Sequence, residues 1–219
     1  ESANIKIDSV VSDLFGVTGR NLMQLLVTDR KLTLSDIQTC VRGKLKGKEA
    51  ELFRSIQGFF TDHHRFVLKT ILETINMLEA IRMTTAVKAA VFITSDKCYR
   101  NNEWIWGYRE NDALGGGDPY SASKAMAEIA IEAYRDAFFP WGDRGENAVA
   151  VASVRAGNVV GGGDWARDRL LPDAIRALTE GRSIDIRSPR ATRPWQCVFS
   201  PLSGYMWLGV RLLLDGAKF

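Results

Sequence analysis

The spacing of apolar and polar positions changes character about a third of the way along the chain. Up to about residue 80 the periodicity is helical. Ile37, Cys40, Val41 and Leu45 recur at helical spacing, with Ser35 as the expected N-cap and Asp36 as the acid of the first turn. Gly43 and Gly47 weaken that helix and mark its end. A second helix is expected over Lys48–Gln57, with Leu52 and Ile56 on one face and Gly58 as its stop. The longest stripe comprises Phe66, Val67, Ile71, Ile75, Leu78 and Ile81 and predicts a helix from about Thr61 to Arg82. Such a face needs a partner, so these helices should form a bundle, a hairpin or a dimer seam.

Beyond Thr85 apolar runs of strand length alternate with helical stretches. Residues 88–94 and 148–154 read as buried strands, because near-continuous apolar runs suit a parallel sheet. Pro119 opens a helix to Phe138. Asp168 to Glu180 reads as a helix ended by Gly181, and Ser183 to Arg187 as a short strand. Strand, helix, strand at this spacing predicts an α/β fold with a parallel sheet.

The 219 residues, 46% hydrophobic and 25% charged, fit an ordinary globular protein long enough to bury a core. Three scattered cysteines, Cys40, Cys98 and Cys197, argue against a disulfide scaffold or a zinc ribbon and suit a reducing cytoplasm. No apolar run reaches the ~20 residues of a membrane helix, and the N-terminus lacks the pattern of a secretory signal. A net charge of +3 does not by itself indicate nucleic acid. His63 and His64 point to different helix faces, so no metal is expected. The basic run Arg42, Lys44, Lys46, Lys48 reads as a solvated face.

Gly16-Val-Thr-Gly19 is a poor dinucleotide loop. The stretch before it is too short and polar for a buried strand, and the third glycine is missing, so a helix-linking turn is expected. Gly115–Gly117 and Gly161–Gly163 lack phosphate-loop spacing. The latter follows a buried strand, at whose C-terminal edge open α/β sheets bind ligands.

The chemistry concentrates in Tyr120-Ser-Ala-Ser-Lys124. At i and i+4 both side chains share a helix face, and an ammonium beside a phenol favours phenolate, making tyrosine a usable base. Upstream, Thr94-Ser95-Asp96-Lys97 brings hydroxyl, acid and amine to the end of a buried strand.

Residues 79–219 resemble the extended short-chain dehydrogenase/reductase family, and within it the CDP-glucose 4,6-dehydratases. The resemblance rests on TSDKCY (94–99), WGYREND (106–112), DPYSASKA (118–125), RAGNVVGGGDWARDRLLPD (155–173), RPWQ (193–196) and PLSGY (201–205). It implies the C-terminal part of a Rossmann-type parallel sheet and NAD-dependent dehydration of a nucleotide sugar, CDP-glucose by resemblance. In that scheme Tyr120 with Lys124 takes the 4-hydroxyl proton and Ser95 bonds the same oxygen. Lys97 removes the C5 proton, and Asp96 protonates the departing 6-hydroxyl. Thr94, Tyr120 and Lys124 touch the cofactor; Asn158, Arg169 and Arg193 hold the substrate. A cytoplasmic, O-antigen-type sugar-nucleotide enzyme, compatible with a homo-oligomer, is what the family implies. The pattern has departures. Cys197 and Ser200 stand where the family has histidine and an acid, so Cys197 is expected to be a packed thiol. The chain stops at Phe219, before the family's substrate-binding part ends.

Residues 8–80 resemble the middle region of DEDD-type insertion-sequence transposases, through SVVSDLFGVTGRNLMQLL (9–26), Gly58–Phe66 and the long helix over Leu68–Leu78. That family's catalytic residues are not among these. The sequence is thus expected to comprise a helical transposase-like segment (1–80) and a partial dehydratase domain (81–219). The helical segment replaces the dinucleotide-binding half, so NAD binding is expected to be weak or lost and activity impaired. The alternative is a non-catalytic chimera whose helical part makes weak nucleic-acid contact.

Overall fold

The computed structural model describes residues 5–11, 13, 16–28, 31–139 and 148–216. Ser12, Leu14 and Phe15 of the transposase-like stretch, the first four residues and Phe219 lie outside them. Contacts divide the chain into two compact units. One comprises Glu1–Met83 with Lys97–Ala133, the other Thr84–Asp96 with Tyr134–Phe219.

The first unit begins with α1 (Val17–Leu26), α2 (Leu34–Cys40), α3 (Glu49–Ser55) and α4 (Asp62–Met83). Gly16, in extended backbone, is the N-cap of α1, and a short 3-10 turn at Ile7–Ser9 precedes it. The Gly16–Gly19 stretch is thus the entry to a helix, as a linking turn should be. The N-cap of α2 is Thr33 rather than the expected Ser35. The Thr33 hydroxyl accepts the Asp36 N–H at 3.4 Å while the Asp36 carboxylate accepts the Thr33 N–H at 2.8 Å. This reciprocal box satisfies two donors that Ser35 could not reach together. Extended backbone at Val41 ends α2 before either glycine.

Ile7, Val11, Leu22, Leu26, Ile37, Val41, Leu52 and Ile56 form one buried cluster, with Phe60 and Leu68 packed against it. On α4 the buried residues are Leu72, Ile75, Leu78 and Ile81. Phe66, expected in that stripe, is 46% exposed, because the burying face lies one residue over, through Leu72. Arg65 on α4 donates to the carbonyl of Leu26 at 3.1 Å and ties this helix to α1.

The same unit holds residues 97–118 and most of α5 (Pro119–Phe138). The segment before α5 doubles back on itself. Tyr99 and Leu114 form an antiparallel bridge, the Gly115 N–H reaches the Cys98 carbonyl at 2.9 Å, and the Tyr99 and Tyr108 rings stack at 5.3 Å.

In the second unit β1 (Ala89–Ile93) and β2 (Ala150–Val154) pair in parallel, Ala89 opposite Ala150 and Ile93 opposite Val154. A second parallel pair joins β3 (Val159–Val160) to β4 (Gln196–Cys197). α6 (Leu170–Thr179) ends at Gly181, whose positive φ of 67° suits glycine. The strand expected over 183–187 does not form. Ile184 and Ile186 alternate as a strand would, but they are 41% and 51% exposed and pair with no strand. α7 (Phe199–Asp215) packs on β1, β2 and β4. Among the described residues, no helix is long and apolar enough to cross a membrane.

Candidate functional site

The residues singled out from sequence fall in both units. In the first unit Tyr120 and Lys124 lie one turn apart on α5, with the Lys124 ammonium 5.5 Å from the centre of the Tyr120 ring. Tyr120 is 46% exposed. The start of this helix is held by Asp118. One carboxylate oxygen accepts the Ser121 N–H at 3.0 Å and the other accepts the Ser121 hydroxyl at 2.5 Å. These two bonds, aided by the positive charge of Lys97, hold the Asp118 carboxyl below the usual carboxylate range. Lys97 thus stands in the electrostatic reach of the turn that carries Tyr120.

Gly116 closes the same corner. A β-carbon there would meet Ser121 Cβ at 2.3 Å and the backbone nitrogen of Ala122 at 2.4 Å. The loop can therefore lie against the first turn of α5 only without a side chain. Sequence reading missed both residues. An aspartate before proline with serine three positions on is an N-cap signature and could have revealed Asp118.

In the second unit, Thr94, Ser95 and Asp96 follow β1. The Thr94 hydroxyl and N–H both bond the Val154 carbonyl, at 3.1 and 2.9 Å, so this hydroxyl extends the β1–β2 ladder. Ser95 is buried and its hydroxyl donates to Asp96 Oδ1 at 3.1 Å, while the Asp96 N–H bonds the Ala156 carbonyl at 3.1 Å.

Asn158 and Arg193 are brought into one neighbourhood by glycine. A β-carbon on Gly157 would stand 2.5 Å from Pro194 Cγ, so the proline ring lies directly against the Gly157 backbone. The Gln196 N–H then bonds the Asn158 carbonyl at 3.0 Å. The Arg193 guanidinium is exposed and donates to the Thr192 carbonyl at 2.7 Å. Arg169, at the start of α6, is paired with Asp164 at 3.1 Å. Cys197 is exposed, not packed: β4 is only two residues long and presents this thiol outward.

The remaining candidates are spent on local structure. His64 Nδ1 accepts the Thr61 N–H at 3.1 Å at the head of α4. Arg42 of the basic run donates to the Thr39 and Val41 carbonyls at 2.8 and 2.9 Å.

The profile of the NAD dependent epimerase/dehydratase family matches residues 50–198, a range that takes in the whole of α4. A CDP-glucose 4,6-dehydratase of Salmonella typhimurium is 51% identical over 149 residues, 68% of this chain and 42% of its own length. The chain thus spans less than half of that relative. Among solved structures, a dTDP-glucose 4,6-dehydratase from Bacillus anthracis in complex with NAD covers 93% of this chain and 70% of its own, with a TM-score of 0.56 at 18% identity. A UDP-N-acetylglucosamine 4-epimerase from Methanobrevibacter ruminantium covers 75% and 47%, with a TM-score of 0.53 at 19% identity. At these identities the likeness concerns the fold, a partial Rossmann-type α/β arrangement of helices and parallel strands.

Proposed function

Because the chain belongs to the NAD dependent epimerase/dehydratase family, we propose that it carries the catalytic half of a nucleotide-sugar 4,6-dehydratase acting on CDP-glucose. The half-identical stretch shared with the Salmonella enzyme carries this reading. The Lys124 ammonium over the ring of Tyr120 supports it from the side of the chemistry.

In this reading the Tyr120 phenol oxygen receives the proton of the sugar 4-hydroxyl, with Lys124 supplying positive charge beside it. Ser95 donates a hydrogen bond to that oxygen. When bound, NAD would supply the hydride acceptor for C4 and the hydride donor for C6. Oxidation at C4 acidifies the C5 proton, which Lys97 removes. Asp96 would give a proton to the departing 6-hydroxyl and Lys97 would return one to C5, so one water is lost overall. Asn158, Arg169 and Arg193 hold the substrate, guanidinium forks suiting phosphate oxygens.

By resemblance, Thr94, Tyr120 and Lys124 would meet the reacting end of the cofactor, and within its own unit the Lys124 ammonium beside the Tyr120 ring suits that role. The residues present do not fit its diphosphate in the segment before β1. There Gly16 caps a helix and follows a 3-10 turn, and among the described residues before β1 no strand aims backbone N–H groups at an anion. Losing two charge-assisted hydrogen bonds at ~1.5–3 kcal/mol each weakens binding by roughly two to four decades. The chain as it stands is therefore expected to bind NAD weakly and to turn over slowly or not at all.

Calorimetry with NAD, followed by incubation with CDP-glucose and saturating NAD in deuterium oxide, tests both parts. Weak NAD binding with deuterium appearing at C5, abolished in Tyr120→Phe, is the expected result. Near-micromolar NAD binding would mean that the first seventy residues form a cradle after all. No deuterium at saturating NAD would leave the second reading, a non-catalytic fusion carrying a helical transposase-like segment, which the helix at Gly16 favours.

A further inference from the structure

The loop between β3 and α6 is held from both sides by arginines. Arg176 Nη2 donates to the carbonyls of Trp165 and Ala166, at 2.7 and 3.1 Å. Arg187 Nη2 donates to the Asp168 carbonyl at 2.6 Å, and its Nη1 lies 3.5 Å from the Asp168 carboxylate. Asp168 itself sits in left-handed backbone, with φ of 66°. On this fixed loop the Asp164 carboxylate divides its oxygens. Oδ1 accepts the Ala166 N–H at 3.1 Å, and Oδ2 accepts Arg169 Nη1 at 3.1 Å. The pair is open to water, Arg169 being 64% and Asp164 40% exposed.

We propose that Asp164 is a built-in competitor for the anion that Arg169 binds, and so sets the affinity of the diphosphate site. The proposal rests on the reading that Arg169 grips the nucleotide diphosphate. An exposed single-bonded pair is weak, so a diphosphate with several charges and oxygens displaces the carboxylate, whereas a singly charged anion gains little by doing so. Through Oδ1 the same residue shapes the turn, a task that asparagine performs equally well. Asp164→Asn thus removes the competitor and keeps the loop.

The test is CDP binding to the full chain by calorimetry at low and moderate salt, for the parent, Asp164→Asn, Arg169→Met and the double variant. Asp164→Asn is expected to bind CDP about two- to fivefold tighter at low salt, the worth of an exposed pair. The gain should shrink as salt rises. Arg169→Met should bind more weakly, and adding Asp164→Asn to it should restore much less than Asp164→Asn gains alone, because the effect acts through the guanidinium. If Arg169→Met binds CDP as the parent does, the diphosphate reading of Arg169 falls and the competitor with it. If Arg169→Met weakens binding while Asp164→Asn leaves it unchanged, only the competitor role is overturned. Absence of CDP binding by the parent and Asp164→Asn alike overturns both. Asp164→Ala, which gives up the turn as well as the charge, separates a loop effect from a charge effect: tighter binding there too supports competition.

Discussion

Replacing Gly116 by alanine is expected to unseat the corner that presents Tyr120. The added carbon would lie 2.3 Å from Ser121 Cβ, 2.4 Å from Ser121 C and 2.4 Å from Ala122 N, and two of these three atoms are backbone. No rotamer change relieves such a contact, so either the loop or the first turn of α5 must shift. Overpacking of this kind costs about 1–3 kcal/mol. In a chain of 219 residues that lowers the unfolding midpoint by roughly 2–12 °C. Gly117→Ala is the matched control. It is the same chemical change one residue on, with no atom within 4 Å of the new carbon, and it should stay within about 0.5 kcal/mol of the parent. Thermal unfolding followed by circular dichroism compares the three proteins. Equal midpoints for Gly116→Ala and Gly117→Ala would refute the close-approach reasoning, because only the first carries the clash.

Asp118→Ala removes the cap of α5 and should cost about 0.5–2 kcal/mol. The folded carboxyl lies below its unfolded value, chiefly through the two Ser121 bonds and further through Lys97, so its contribution is full above the ordinary carboxylate pKa near ~4. It is lost as pH falls through the lowered folded value, and parent and variant unfolding curves should converge there; a constant gap down to the acid limit would contradict this. Gly157→Ala drives a carbon to 2.5 Å from Pro194 Cγ and 3.0 Å from its carbonyl oxygen. Faster hydrogen exchange at the Gln196 and Val198 amides, which bond the Asn158 and Val160 carbonyls, is the expected sign, and unchanged exchange would count against it. Ile37→Ala, at a side chain with 0% exposure in the helical core, should cost about 2–5 kcal/mol in urea unfolding.

Sequence periodicity is a local signal, and the elements it located are those whose burial is decided locally. The span of α4, the Pro119 start of α5 and the positions of β1 and β2 stand where their patterns put them. The buried face of α4 is nevertheless shifted through Leu72, and β1, expected to be buried, is only half-buried with Ile93 exposed. The β3–β4 pair escaped notice because two-residue strands carry no period, and their partnership depends on Gly157 and Gly161 admitting Pro194 and Val198. Ser183–Arg187 misled for the converse reason: Ile184 and Ile186 have the alternation, but alternation cannot supply a neighbouring strand. α7 went unread because Phe199 to Leu214 is apolar almost all round and broken by Gly204 and Gly209, which blurs the helical period. At the candidate site, residue types were legible and their engagements were not. Tyr120 and Lys124 share a face as spacing requires. That Thr94 serves the β-ladder and that Arg169 is held by Asp164 depends on contacts no local pattern encodes.

The parallel pairing of β1 with β2 also fixes an order of events during synthesis. Thr94 and the Val154 carbonyl that receives its bonds are 60 positions apart, with the whole of α5 between them. At about 5–20 residues per second, a ribosome needs roughly 3–12 s to deliver β2 after β1 has been made. For that interval β1 is an apolar strand without the ladder it will join, long enough for many encounters with other nascent chains or chaperones. Slowing translation across α5 should therefore lower the yield of folded chain, and speeding it should raise the yield.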